Sequence, residues 1–270
     1  MSEQVLVKKQ HERDGWLSRI PKPLHGWILP LIIVVIWELV SDIGNISATM
    51  LPSPISVVAQ FARLTMNGEL FEYIGISVYR AAQGFLLGSI AGLLIGLSTG
   101  LGKLVERTLD TSLQLIRTIP LLSLIPLFIL WFGIGEFSKV LMIALGAFFP
   151  VYLNTFLGIR SVDLKLFEVS RIFQYTRWQL LCKMIIPAAL PNILLGVRLS
   201  LGISWLVLVV AEMMGASAGV GYMIQDARGY SQTDIVFVGI IIFAVVGKFS
   251  DSGVRYLEKK WLHWRDTYKG

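Results

Sequence analysis

Long apolar runs are the feature that most constrains this sequence. Three runs of 18 to 22 residues without a charge, at 81–102, 118–135 and 140–159, have about the length that a membrane-spanning helix needs. Three weaker runs lie at 26–42, which carries Glu38, at 184–211, which contains Arg198, and at 235–247, which is short. With 54% hydrophobic and 16% charged residues, the chain is too apolar for a soluble domain. The sequence therefore predicts an all-α, polytopic membrane protein with about six transmembrane helices.

The distribution of Lys and Arg predicts the orientation. Of the 24 basic residues, 18 fall in segments that would share one side of the membrane, whereas Arg63, Lys139 and Arg228 would lie on the other. Because cytoplasmic segments carry the basic excess, we expect both termini in the cytoplasm. The predicted division is a cytoplasmic segment 1–25, a transmembrane domain 26–252 with a cytoplasmic loop at about 160–190, and a cytoplasmic tail 253–270. The net charge of +6 then requires no nucleic-acid partner, while contact of the basic tail with membrane lipid stays open.

Two absences argue against an enzyme. The stretch LSTGLGKL resembles a phosphate-binding loop, but Leu97 occupies the first glycine position and Leu104 the position of the magnesium-binding Ser or Thr. The three His residues lie near the termini without metal-ligand spacing, and no paired carboxylates or activated nucleophile form a recognisable motif. We therefore expect no catalytic residue, no metal and no cofactor in this chain.

A glycine repeat marks the run 81–102. Gly84, Gly88, Gly92, Gly96 and Gly100 recur at every fourth position and so lie near one helix face, where a neighbouring helix can approach closely. Packing within one subunit is favoured over a homodimer seam. In the run 118–135, two prolines predict a kink that either faces a pore or has no functional role.

A charged, helix-patterned stretch, EVSRIFQYTRWQLLCKMIIPAALP, lies at 168–191 between apolar runs. The letters T-R-W-Q at 176–179 form a capping-box pattern that predicts a helix beginning near Arg177. We therefore expect two short helices hinged at 174–176, ended at the membrane by Pro187 and Pro191. The pair would project into the cytoplasm or rest on lipid headgroups; a DNA-reading helix-turn-helix is a remote third alternative.

This stretch resembles the cytoplasmic coupling loop of bacterial ABC-importer permeases, whose motif runs E-A-A, three residues, G, nine residues, then I-x-L-P. Glu168 and Pro187 have the separation of the motif, while Val169 and Ser170 replace the alanines and Gln174 replaces the glycine. MLPSP at 50–54, LWFGIGEFSKV at 130–140 and PAALPNILLGVRLSLGISW at 187–205 also resemble this family, in particular the subclass that imports aliphatic sulfonates, taurine or nitrate. The resemblance covers roughly residues 51–257.

The resemblance implies a type I ABC importer permease fold in the bacterial inner (plasma) membrane. It implies that ATP is bound and hydrolysed by two separate ATPase subunits, that a second permease copy completes a homodimer, and that a periplasmic or extracellular substrate-binding protein delivers the cargo. A secondary, ion-coupled transporter is the alternative. The positions that would form the ATPase-coupling loop are Glu168, Val169, Ser170, Arg171, Gln174, Arg177, Trp178 and Pro187.

Ionisable residues inside spans are costly and are functional candidates by default. Arg80 and Arg198 are therefore candidates to attract or pass an anionic substrate, although either side chain could instead reach the interface or pair internally. Glu38 and Glu212 are expected near the outer interface.

Overall fold

In a computed structural model, residues 25–44 and 46–262 are described. These residues form helices and connecting turns without any β-strand, which confirms the all-α prediction. The predicted segment 1–25, apart from its last residue, and the last eight residues of the tail lie outside the described part. The helices are α1 His25–Ile43, α2 Pro54–Met66, α3 Glu69–Leu101, α4 Lys103–Arg117, α5 Ile125–Phe132, α6 Glu136–Arg160, α7 Leu164–Ile172, α8 Arg177–Leu180, α9 Ile186–Gly215, α10 Val220–Gly229 and α11 Thr233–Trp261.

Four helical segments of the described chain are long and apolar enough to cross a membrane. They are α3, α6, the continuous stretch Arg177–Gly215 and α11, and the bent pair formed by α4 and α5 would be a fifth. The predicted number of six spans is therefore not reached among the described residues, although α1 covers the first predicted run.

Helices α3 and α6 form the centre of the fold and run parallel to each other. Along α3, Gly84 faces Ile143 and Gly100 faces Ile159, with the three glycines between them facing intermediate positions of α6. A Cβ atom at any of the five positions would collide with α6, so the absence of side chains sets the distance between the helices. The predicted packing of the glycine face within one subunit is confirmed. Helix α9 packs antiparallel against the other side of α6, with Gly196 beside Pro150 and Asn154.

The two prolines of the run 118–135 break the helix. Helix α4 ends at Arg117, a 3₁₀ turn follows at Leu121–Leu124, and α5 leaves at 85° to α4. Pro120 precedes the turn and Pro126 lies in the first turn of α5, where a missing N–H leaves no hydrogen bond unmade. The predicted kink is thus a sharp break between two helices.

The prolines at 187 and 191 do not end the helix, and this part of the prediction was wrong. Helix α8 passes into a π turn at Leu181–Ile185 and continues as α9 to Gly215. Pro187 falls at the start of α9, directly after the π turn. The wider π turn changes the backbone hydrogen-bond register just before Pro187, which has no N–H to donate. The helix can therefore continue through this proline.

Candidate coupling loop and polar clusters

The stretch between α6 and α9 forms two short helices joined by a tight turn. The turn residue Gln174 has φ +49°, in the left-handed region, and it stands where the family motif has glycine. The turn is closed by the Tyr175 N–H, which donates to the Ser170 carbonyl at 3.0 Å. Ser170 itself is buried, and its hydroxyl donates to the Phe167 carbonyl at 2.7 Å. Gln174 therefore adopts the backbone conformation that the glycine of the motif would adopt, and it does so with strain.

The second short helix begins with the predicted capping box. The Gln179 N–H donates to Thr176 Oγ1 at 3.3 Å, and the Thr176 N–H donates to Gln179 Oε1 at 2.9 Å. Two otherwise unpaired backbone donors are thereby satisfied, which fixes the start of α8 at Arg177. The hinge at 174–176 and the short first helix are confirmed, whereas the second helix is the start of the continuous stretch Arg177–Gly215.

Large apolar side chains are exposed on this loop beside charged ones. Ile172, Phe173 and Trp178 are 79%, 65% and 72% exposed. A cluster of exposed apolar groups with a charged rim is typical of a protein-binding surface. We call this patch the coupling surface, and its residues are Glu168, Arg171, Ile172, Phe173, Arg177 and Trp178.

The other predicted loop residues lie apart from that surface or are only partly described. Val169 lies within α7, but its side chain is not among those described. Pro187 lies about 14 Å of helix beyond Trp178, past the π turn, so the structure does not bring it to the coupling surface.

The loop is anchored to the transmembrane helices by a small apolar cluster. Buried Ile159 of α6 and Ile185, Ala189 and Ile193 of the π turn and α9 form its centre. Phe167 of α7 packs against this centre, together with the leucines at 180 and 181. The loop and the ends of α6 and α9 therefore share one buried apolar cluster, which connects them mechanically.

Arg80 lies in a buried polar cluster rather than on an open surface. It is 4% exposed, and Nη1 donates to Glu212 Oε1 at 2.8 Å and to the Ala218 carbonyl at 2.5 Å. Nε and Nη2 donate to the two carboxylate oxygens of Glu136, at 2.5 and 2.7 Å. Lys139 Nζ lies 3.0 Å from Glu136 Oε1 and adds a second cation. These contacts favour internal pairing of Arg80, the alternative to contact with a passing anion.

Glu212 connects three helices at this cluster. It is 1% exposed, so its carboxylate is buried within the protein, while its expected depth near the outer membrane interface stays a prediction. It accepts hydrogen bonds from the Ser77 hydroxyl of α3 at 2.8 and 2.9 Å and from the Gly221 N–H of α10 at 2.8 Å. Ser77 in turn accepts from the Val220 N–H at 2.8 Å, so the first turn of α10 is capped from α3 and α9 together. The sequence did not reveal this cluster, since members in contact are separated by up to 143 residues.

Arg198 has a different environment, at a second ion pair. Its Nε donates to Asp251 Oδ1 of α11 at 2.7 Å, and both side chains are about one-third exposed. Asp251 also accepts from Arg255 at 2.8 Å. This partly exposed pair connects α9 with α11.

Comparison with known proteins then identifies the family. Residues 84–263 match the family model described as "Binding-protein-dependent transport system inner membrane component". The chain belongs to this family. It is 57% identical over 269 residues to an aliphatic sulfonates transport permease protein, SsuC, of Bacillus subtilis (strain 168), covering 100% of this chain and 95% of that protein. It is 46% identical over 253 residues to SsuC of Escherichia coli (strain K12), with 94% and 95% covered.

More distant matches agree with this assignment. The taurine transport system permease protein TauC of E. coli (strain K12) is 32% identical over 238 residues, with 86% of each chain covered. Among solved structures, an amino acid ABC transporter matches with a TM-score of 0.57 at 18% identity, covering 73% of this chain and 94% of that one. The inward-facing MetNI methionine ABC transporter matches with a TM-score of 0.51 at 20% identity, covering 66% and 93%. These two show that the fold is that of ABC-importer permeases, and the chain is a multi-pass membrane protein of this family.

Proposed function

We propose that this chain is the membrane-spanning subunit of an ATP-driven importer, and that it carries aliphatic sulfonates. The substrate class rests on the two SsuC relatives, which match nearly the whole length of the chain. Taurine and nitrate remain as competing cargoes within the same subclass. The chain itself performs no chemistry in this proposal; nucleotide is bound and hydrolysed elsewhere.

The observation that carries the proposal is the coupling surface. A membrane protein that exposes a tryptophan, a phenylalanine and an isoleucine beside charged side chains at the turn between α7 and α8 is expected to bury them against a partner. We propose that two ATPase subunits supply this partner, with Glu168, Arg171 and Arg177 forming the charged rim of the contact. ATP binding shifts the equilibrium between the inward-facing and outward-facing states only if the ATPase contacts these two states differently. In this proposal the ATPase makes those contacts through the loop.

The remaining features of the proposal follow from the family. Two copies of this chain would enclose one pathway as a homodimer, and a periplasmic or extracellular binding protein would deliver the sulfonate. With the loop in the cytoplasm, both termini would lie there as well, in the inner membrane of a bacterium. This orientation agrees with the Lys and Arg distribution.

Reconstituted transport tests this proposal. The chain is purified with its ATPase, placed in proteoliposomes, and supplied with its binding protein, Mg-ATP and labelled ethanesulfonate. We expect uptake that requires ATP and the binding protein, with taurine and nitrate competing poorly. Uptake driven by an ion gradient without the ATPase would instead support a secondary transporter, and efficient competition by taurine or nitrate would reassign the cargo.

A charge reversal at Glu168 tests the coupling surface separately. Glu168→Lys is expected to reduce copurification of the ATPase at least tenfold, because it places a cation in the rim of the contact. Glu72→Lys is the matched control, since Glu72 is an exposed carboxylate in the first turn of α3. Equal ATPase recovery with both variants would remove Glu168 from the coupling surface, while uptake by the unmodified complex would leave the transport function standing.

A further inference from the structure

Two side-chain contacts connect α4 with α6. Near one end of α6, Arg160 pairs with Glu106 of α4. Two turns further along α6, the Tyr152 hydroxyl donates to Asp110 Oδ1 at 2.7 Å. The two helices are therefore antiparallel, and the C-terminal end of α4 lies beside the centre of α6.

This placement brings Arg117, the last residue of α4, to mid-height of a membrane-crossing helix. Arg117 lines a cavity together with Leu145, Gly146 and Phe149, which are residues 10 to 14 of the 25-residue α6. The uneven distribution of Lys and Arg had assigned Arg117 to a cytoplasmic segment between two spans; in the structure it lies beside residues of α6 that are roughly 17 to 22 Å of helix from Arg160. A cation at this depth is expensive and is a functional candidate by default.

The break between α4 and α5 forms a wall of the same cavity. The cavity has a volume of about 320 Å³ and is lined by the non-helical residues 118–120, by Leu121 and Leu124 of the 3₁₀ turn, and by Ile203 of α9. Small-molecule pockets have volumes of roughly 300 to 1000 Å³, so the space is sufficient for a short-chain ligand. Non-helical backbone at membrane depth is tolerated where it lines such a space.

Arg117 also differs in its contacts from the two arginines that the sequence had suggested. Arg80 is saturated by Glu136 and Glu212, and Arg198 is paired with Asp251. Within residues 25–44 and 46–262, the Arg117 side chain makes no hydrogen bond or ion pair, and it is exposed at the cavity. Its five N–H donors are therefore available to an incoming anion.

We propose that this cavity is a binding site for an aliphatic oxyanion, in which Arg117 holds the anionic head and Leu145, Phe149 and Ile203 contact the alkyl chain. The inference rests on the proposed sulfonate transport and places its substrate within this subunit. An alkanesulfonate has a fully ionised head and an apolar tail, and the site has a side chain suited to each. The guanidinium can hold two of its oxygens at once.

Cysteine labelling in the intact permease–ATPase complex tests the site without transport. Cys182 is the sole cysteine, so Cys182→Ser with Ile119→Cys places one thiol at the cavity. The reagent 2-sulfonatoethyl methanethiosulfonate carries the proposed head group, and methyl methanethiosulfonate is its neutral counterpart. We expect Arg117→Gln to slow the sulfonated reagent about tenfold, with no change for the neutral one, because the local positive potential is lost. Free ethanesulfonate should protect the thiol from both reagents while Arg117 is present.

Uptake by the full-length complex supplies the second readout. Arg117→Gln is expected to lower ethanesulfonate uptake about tenfold, and Arg117→Lys should restore a substantial part of it. Arg107→Gln is the matched control, because Arg107 is an exposed arginine of α4 outside the cavity. ATPase copurification should be equal in all three variants.

The outcomes separate this inference from the proposed function. If the unmodified complex transports ethanesulfonate but Arg117→Gln behaves like Arg107→Gln, or if ethanesulfonate gives no protection, the site is wrong and the transport function stands. If ethanesulfonate protects the thiol in an Arg117-dependent manner while no uptake occurs, the site stands and the proposed cargo is wrong.

Discussion

The buried pair of Arg80 and Glu212 provides a quantitative test of how these helices are held together. Arg80→Met removes the cation but leaves Glu212, at 1% exposure, without its charged partner. Breaking a buried pair in this way costs about 3 to 5 kcal/mol, because the remaining charge is neither solvated nor neutralised. For a chain of this size that cost corresponds to a midpoint of thermal unfolding lower by roughly 10 °C. The measurement is tryptophan fluorescence of the purified permease in detergent during a thermal scan.

A double-mutant cycle identifies the cause of the loss. Glu212→Leu alone should also destabilise, since it leaves Arg80 and the Gly221 N–H short of an acceptor. The double variant should be less destabilised than the sum of the two, with a coupling free energy of about 2 kcal/mol. Arg198→Gln is the matched control, because its partly exposed partner Asp251 remains solvated and little stability should be lost.

A particular result would refute this reasoning about Arg80. If Arg80→Met unfolds at the same temperature as Arg198→Gln while uptake of ethanesulfonate is abolished, Arg80 acts on the substrate and its ion pairs are incidental. Loss of stability with uptake retained in the surviving folded fraction would establish the structural role.

Two further predictions concern glycine: one variant introduces it at a left-handed turn, and the other removes it from a close contact between helices. Gln174→Gly should stabilise the loop by about 1 kcal/mol, because glycine adopts the left-handed φ of this turn without strain. Slower hydrogen exchange of the backbone amides at 173–176 would reveal this gain. Tyr175→Gly is the control, because Tyr175 has no left-handed φ, and it should speed the exchange. Gly88→Val should destabilise the permease by about 3 kcal/mol, since its Cβ would collide with the Ala144 carbonyl and the Ala147 side chain of α6. Gly75→Val on the same helix has open space around it and should not lower the unfolding midpoint, and equal effects of the two valines would contradict the close packing of α3 and α6.

Local patterns in the sequence predicted local structure well. The capping box at Thr176 and the five-glycine face of α3 could both be predicted from the sequence, because each depends on residues a few positions apart. The family motif located the loop through the spacing of Glu168 and Pro187. The motif did not predict the π turn. The sequence shows a proline at position 187 but not whether an ordinary helical turn or a wider π turn precedes it.

The candidate pathway residues were harder to predict, because their roles depend on tertiary depth and pairing. Apolar runs placed Arg80 and Arg198 within or beside spans, but only the fold shows that both face carboxylates. Arg117 was overlooked because α4 is amphipathic and carries several charges, a composition usual in a cytoplasmic segment. Only the tertiary contacts of α4 show that Arg117 lies beside the central residues of α6.

The continuous helix from Arg177 to Gly215 relates the three regions to one another. Its first turn carries Trp178 of the coupling surface, Ile203 forms a wall of the Arg117 cavity, and Glu212 belongs to the Arg80 cluster. Between the loop and the cavity this helix contains the π turn at 181–185 and two prolines, and Ile185 of the turn is itself buried against Ile159. We expect a movement imposed at Trp178 to reach Ile203 along this helix, while the buried pair of Arg80 and Glu212 resists movement at the far end. Such a helix would pivot about its Glu212 end, so that the cavity wall moves less than the loop and more than the cluster.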